Sequence, residues 1–454
     1  MKKSILFISG IIALSSCATD PLDRAPISEI GANGFYTNDA EVELATIAIY
    51  DGLQAVPKIE FALSEMRSDN AKTKTSEGEW AEFESYTIQA TNQQVQLYWA
   101  ANYNVIFRAN TVLQHLDVVV DETLRAQLEG EALFCRALSH LKLANSYGDV
   151  PMLDAVVGPQ DSTFFDRDPV MDVLAMVVED LEEAASLLPS KSNMVFGRAT
   201  KGAAESILAK AYLRQGEYNL AEGVLAGLLS NPDYALESSY SDVFYDEGND
   251  EILFAIPYVD DDLFESQDFS FEFTVGGVRS GLNYLTDDLK AAMDASDTAR
   301  SPVIANPLNT NECGKFLTAS LNARMCGNDW IVSRLADMYL LHVEAKMAGQ
   351  GSTQNLDAIA SFNAVRARAG LSEVPVDGTG EITLEDLLAE RRIELSFENH
   401  RFDDLTRTGQ ALAVLSAFAS SEGNVFSGTD LLLPIPQNEI NVSEGKLSQN
   451  PGYN

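Results

Sequence analysis

The sequence predicts a mostly α-helical protein built from repeated helix pairs, with a loop-rich, ligand-facing insertion and little β-structure. Three observations carry that expectation. Apolar residues recur at helical spacing over long stretches, as in Val42, Ala45, Ile49 and Leu53, and again in Trp99, Tyr103, Ile106, Phe107 and Leu113. Two segments, 203–232 and 335–370, place small residues, tyrosines and a turn glycine at matching offsets. Between them, 240–329 is rich in Gly, Asp and aromatic residues, with one apparent strand at Glu251-Ile-Leu-Phe-Ala-Ile-Pro-Tyr258.

The elements follow in chain order. Met1-Lys2-Lys3 and an apolar run of about ten residues have the charge and length of an export signal, too short to span a bilayer. Ser15-Ser16 supplies the small pair a signal peptidase needs, and Cys17 directly after it resembles a bacterial lipoprotein acylation site. Acyl chains buried at roughly 0.8 kcal/mol per CH₂ would hold a soluble domain on a membrane. Residues 17–38, broken by Pro21, Pro26, Gly31 and Gly34, suit a lipidated tether. A single domain is expected over 39–454. Asn38-Asp39 offers a helix cap, Pro57 stops the first stripe, and a second long helix is expected over 95–116.

In 203–232, Ala209 lets two helices approach, Tyr212 fills the gap, Gly216 makes the turn, Tyr218 and Ala221 restart the stripe and Pro232 ends it. This looks like a tetratricopeptide hairpin. Tyr339, Ala345, Gly349, Ala358, Phe362 and Val365 play comparable parts in the second copy. With further pairs at 39–116 and 121–188, four units (the others at 200–230 and 333–369) should stack into one curved superhelix, because no unit buries its apolar face alone. In the insertion, alternating Phe269, Phe271 and Phe273 read as a half-buried strand. From Gly428 onward, Pro, Gly and Asn breaks suggest an extended tail.

Composition narrows the function. There are 68 acidic and 31 basic residues, a net charge of -37, and loss of Lys2 and Lys3 with the leader makes it -37 - 2 = -39. Such a surface repels nucleic acid and suits a neutral ligand. An exported setting permits a disulfide, and Cys313 with Cys326 would close a short loop, while Cys135 reads as a buried thiol. The scattered His115, His140, His342 and His400 read as structural, and no spacing resembles a metal site. No cofactor is expected. Asp260-Asp-Asp262 lacks a calcium-loop pattern and reads as a solvated turn. Neither a nucleophile elbow nor a phosphate loop is present, since Gly378-Thr-Gly380 lacks both the next glycine and a preceding strand.

The run from Leu388-Ala-Glu-Arg-Arg-Ile-Glu-Leu to His400-Arg-Phe-Asp-Asp404, with Leu432-Leu-Pro-Ile-Pro-Gln-Asn-Glu-Ile440 and Gln449-Asn-Pro-Gly-Tyr453, resembles the C-terminal signature, over 383–454, of the SusD/RagB family of outer-membrane nutrient-binding lipoproteins. Arg67-Ser-Asp-Asn70, Leu97-Tyr-Trp99, Arg108-Ala-Asn110 and Gly148-Asp-Val-Pro151 look like that family as well. The resemblance implies a core of four right-handed tetratricopeptide-like helix pairs, capture of an oligosaccharide at the cell surface, and a TonB-dependent transporter of the SusC type as partner. Physically, Glu390, Arg391, Arg392, Glu394, His400, Arg401, Asp403 and Asp404, set among Ile393, Leu395, Phe397 and Phe402, read as a partly buried ion-pair network joining the last helices to the repeats.

A sugar ring offers an apolar face edged with hydroxyls, so its site needs an aromatic plate and bidentate polar groups. Trp80, in the acidic stretch Ser76-Glu-Gly-Glu-Trp-Ala-Glu-Phe-Glu-Ser85, is the candidate plate, or else the plug of a cluster with Phe83 and Tyr86. Asp69 and Asn70 are its polar candidates, and Arg279, Asn283 and Tyr284 a second group. Trp99 and Trp330 read as packing. The reading is a non-enzymatic glycan binder that acts as its transporter's lid; a peptide binder, a glycoside hydrolase and a protein scaffold are the alternatives.

Overall fold

The computed structural model describes residues 35–73, 78–158, 165–278 and 281–453. Cys17, the leader, most of the tether and Arg279 lie outside them. Four antiparallel helix pairs follow one another, each packing on the next: Asp39–Gln54 with Gln93–Gln114, Glu122–Tyr147 with Val170–Leu187, Lys201–Gln215 with Tyr218–Leu229, and Leu335–Met347 with Leu356–Arg368. Side chains start many of these helices: Asn38 accepts from Glu41 N, Asp121 from Thr123 N and Leu124 N, Thr200 from Ala203 N, and Asn355 from Asp357 N and Ala358 N. Gly216, at φ 79, returns its N–H to Tyr212 and Leu213 and closes the third pair as the repeat pattern demands. Helices come close where side chains are small. A Cβ on Gly130 would lie 2.9 Å from Leu188 Cγ, so the second pair packs there only over a glycine.

The first pair is joined through residues 55–92, which carry a further helix, Pro57–Leu63. Pro57 thus ends one helix and opens another, because its fixed φ and missing N–H suit a first turn. The expected strand is present as Ile252–Ile256, and it pairs antiparallel with Trp330–Arg334, joining the insertion's two ends beside the fourth unit. Ala71–Lys72 pairs with Tyr284–Leu285, and Ser352–Thr353 with Ile382–Thr383.

Three expectations need correction. Phe269–Glu272 is a short helix, not a strand, and it buries Phe269 and Phe273, four residues apart, while Phe271 stays half-buried. Cys313 and Cys326 are free and buried, because Cys313 bridges to Ala305 and Cys326 to Gln267, on separate turns of the insertion. The tail after Gly428 includes the helix Gln437–Val442. Cys135 is buried, as are Trp99 and Trp330.

Candidate functional site

The residues singled out from the sequence come together, but inside the protein. Lys72 pairs with Tyr284 and Ala71 with Leu285, Thr286 N donates to Asn70 O at 3.0 Å, and Asn283 Nδ2 donates to Phe61 O. This seam brings the 69–72 and 283–286 segments side by side. The Asp69 carboxylate accepts from Arg401 Nε and Nη2, both at 2.8 Å. Burial works to raise its pKa, but Arg401 and Arg392 outweigh that and hold it below the usual range. Asn70 Oδ1 accepts from Arg392 Nε at 2.8 Å and its Nδ2 donates to Glu65 at 2.9 Å. Asp69, Asn70, Asn283, Tyr284 and Trp80 are all buried, and Asp69 and Asn70 brace the C-terminal segment through Arg401 and Arg392. Trp80 is 4% exposed and lies 6.0 Å from Phe61 and 5.9 Å from Phe83, filling an aromatic cluster. Tyr86 packs elsewhere, edge-on to Phe426.

The C-terminal signature forms the expected ion-pair network. Glu394 Oε1 takes Arg334 Nη1 at 2.7 Å and Arg368 Nη2, and its Oε2 takes Arg300 Nη1 at 3.0 Å. Burial would raise the Glu394 carboxyl, and Arg368, Arg334 and Arg300 instead hold it well below the carboxylate range. Arg334 also grips Glu251 and Glu398, and Arg391 joins Asp337 to Asp404, all at 2.7–2.8 Å. The network thereby clamps the helix Leu384–Glu394 and the turn after it to the fourth unit. Two histidines are neutral parts of the interior. Burial pushes His140 down to about 3 and His400, despite Asp337 nearby, to about 4. His140 Nδ1–H donates to Arg136 O at 3.0 Å while Nε2 accepts from Leu153 N at 3.2 Å. Among the described residues no group of three His, Cys, Asp or Glu could hold a metal, and no helix is long and apolar enough to cross a membrane.

One of several open clefts among the described residues, of about 380 Å³, lies between helix starts of the first unit and the insertion. Lys58, Gln94, Asp268 and Arg324 supply its polar edge, and Leu97 and Leu263 its apolar shelf. Lys58 lies 5.5 Å from the Tyr258 ring centroid, and burial lowers its pKa against the pull of Asp268, Glu265 and Asp51. Next to Leu263 in the chain, Phe264 is 83% exposed and offers an aromatic face to solvent. The polar groups present donors and acceptors around an apolar floor, which suits a neutral, hydroxylated ligand with one flat face. None of these was singled out from the sequence. The available signal was Leu263-Phe264 between acidic neighbours, a pair no helical or strand period would bury.

A stack of helix pairs, locked by buried ion pairs and presenting a cleft between the first unit and the insertion, defines a helical-repeat scaffold. Comparison places it more closely. Residues 312–453 match the family model described as SusD family, and residues 31–213 the one described as "Starch-binding associating with outer membrane". The chain belongs to the SusD/RagB family. It is 24% identical to SusD-like protein P2 of Formosa agariphila over 100% of both chains, and 25% identical to a SusD-like protein of Bacteroides ovatus over 89% of this chain and 82% of that one. A solved laminarin binding SusD-like protein superposes with TM-score 0.77 at 25% identity, over 92% of this chain and 100% of that one. Surface glycan-binding protein A of Bacteroides thetaiotaomicron, solved in complex with laminarihexaose, shares the fold at TM-score 0.76 and 22% identity, over 91% of this chain and 100% of that one.

Proposed function

We propose that this protein is a lipoprotein held on the outer membrane through Cys17, which captures an oligosaccharide at the cell surface. It hands the sugar to a TonB-dependent transporter of the SusC type and closes over it as a lid, without cleaving the ligand. The observation that carries the reading is the cleft of Lys58, Gln94, Asp268 and Arg324, in which loops of the insertion face residues held on helix starts of the first unit. The laminarin named for one solved relative and the laminarihexaose bound by another support a neutral glucan as the first ligand class to try.

Affinity electrophoresis of the purified mature domain against laminarin, starch and other neutral polysaccharides tests this. Retardation without new reducing ends is expected, and Phe264→Ala or Arg324→Ala should abolish it with no change in melting temperature. Release of reducing ends would establish a hydrolase instead. A second reading, peptide capture, draws on the burial of Trp80, Trp99 and Trp330, which leaves no tryptophan plate for a sugar. Calorimetric titration with a mixed peptide pool separates the two, since a peptide binder gives heat there and no retardation with glycans.

A further inference from the structure

A second cavity, of about 110 Å³, shares no lining residue with the cleft and lies between the repeat helices and the C-terminal segment. Arg214, on Lys201–Gln215, and Asp403, on Arg401–Arg407, both line it. Among the described residues Arg214 makes no hydrogen bond or ion pair, and Asp403 accepts only from Asn145 Nδ2, at 3.3 Å. Buried polar atoms without a partner belong to three more wall residues: Arg67 Nε, Asn145 Oδ1, and both amide atoms of Asn399. Arg67 is only 2% exposed. Leaving such atoms unmatched in the interior carries a desolvation penalty, and native proteins rarely tolerate several together.

The unmatched set is mixed. Arg67, Arg214 and the Asn399 amide nitrogen need acceptors, whereas Asp403 and the two Asn oxygens need donors. A bare anion would meet the first group and be repelled by Asp403; a bare cation would meet the second and be repelled by Arg214. A hydroxyl group does both at once. One water needs roughly 10–15 Å³, so the space admits several oxygens.

We propose that this cavity is a binding site for hydroxyl-bearing small molecules, either ordered water or a polyol no larger than a monosaccharide, bridging Arg214 to Asp403. Its occupant joins the second and third helix pairs to the C-terminal segment. The site stands apart from the ligand cleft and does not depend on the glycan reading.

A crystal structure of the mature protein at water-resolving resolution, grown without glycerol, tests the proposal directly. Ordered oxygens within hydrogen-bond reach of Arg214, Asp403 and Asn399 are expected. Soaking with glycerol or glucose then identifies the source: their density in place of those oxygens names a polyol, and unchanged oxygens name water. Arg214 and Asp403 closed into a direct ion pair, with no density between them, would overturn it. Asn145→Leu gives an independent reading. Filling the wall with methyl groups should lower the melting temperature by about 1–3 °C, since Asp403 loses its one partner; an equal or higher melting temperature would count against the site.

Discussion

Replacing Glu394 by Gln keeps the side chain's shape and removes the charge on which three guanidinium groups converge. Each of the three keeps another carboxylate: Arg334 holds Glu251 and Glu398, Arg300 holds Asp297 and Glu390, and Arg368 holds Glu251. Collapse of the network is therefore not expected. The amide, however, turns an N–H₂ toward a guanidinium in a site with no access to water, since Glu394 is 0% exposed. Breaking a buried pair of this kind costs about 3–5 kcal/mol. Urea unfolding followed by far-UV circular dichroism should show the loss as a lower midpoint. Asp287→Asn is the control: that carboxylate meets Lys290 at 3.1 Å but is 82% exposed, so its loss should leave the midpoint almost unmoved. Removing Arg368 together with Glu394 should recover part of the cost, as partners in one network do not add independently. A Glu394→Gln protein within about 1 kcal/mol of the parent, with no such recovery, would refute the clamp.

Trp80→Ala should lower stability by about 3–5 kcal/mol, read as a large fall in melting temperature, because it opens a cavity between Phe61 and Phe83. His140 has a folded-state pKa far below its unfolded one, so the unfolded chain binds the extra proton and stability falls as the pH drops below about 6.5. Unfolding midpoints measured between pH 7 and 5 should fall less steeply in His140→Gln than in the parent. Asp329 has the opposite sign: burial raises its carboxyl from 3.8 to about 7, so stability is lost as the pH rises between those values and the loss is complete above 7. Asp329→Asn, which keeps an oxygen for Tyr258 N, should unfold later at pH 8 by up to about 2 kcal/mol and match the parent near pH 4. Thiol titration should find Cys135, Cys313 and Cys326 unreactive in the folded protein and all three reactive, without reductant, once it is unfolded.

The helix pairs were legible because their signal is local. Ala209, Tyr212, Gly216 and Ala221 report a turn and a close approach within one repeat, and neighbours in sequence are neighbours in space. Phe269, Phe271 and Phe273 misled because their alternation fits a strand, while the burial of Phe269 with Phe273 also fits one helical turn. The site candidates were ambiguous for a different reason. Asp, Asn and Trp are the residues a glycan site wants, and they are also what a buried brace uses. The partner that decides for Asp69, Arg401, stands 332 residues further on, and no local pattern links the two. The open cleft was hidden in the same way, since Lys58, Gln94, Asp268 and Arg324 meet only after the insertion has folded back on the first unit. The ion-pair network could be read because its charges crowd one short run beside apolar neighbours.

Much of the protein's positive charge is spent inside, in Arg300, Arg334, Arg368, Arg391 and Lys315, each almost wholly shielded from solvent. Added electrolyte screens exposed charges over about 8 Å at physiological strength and reaches such enclosed pairs far less. Ionic strength should accordingly leave these enclosed pairs nearly untouched while easing repulsion across the acidic exterior and changing how fast it meets any charged surface. An experimenter can thus tune encounters by adding sodium chloride without loosening the frame that makes them.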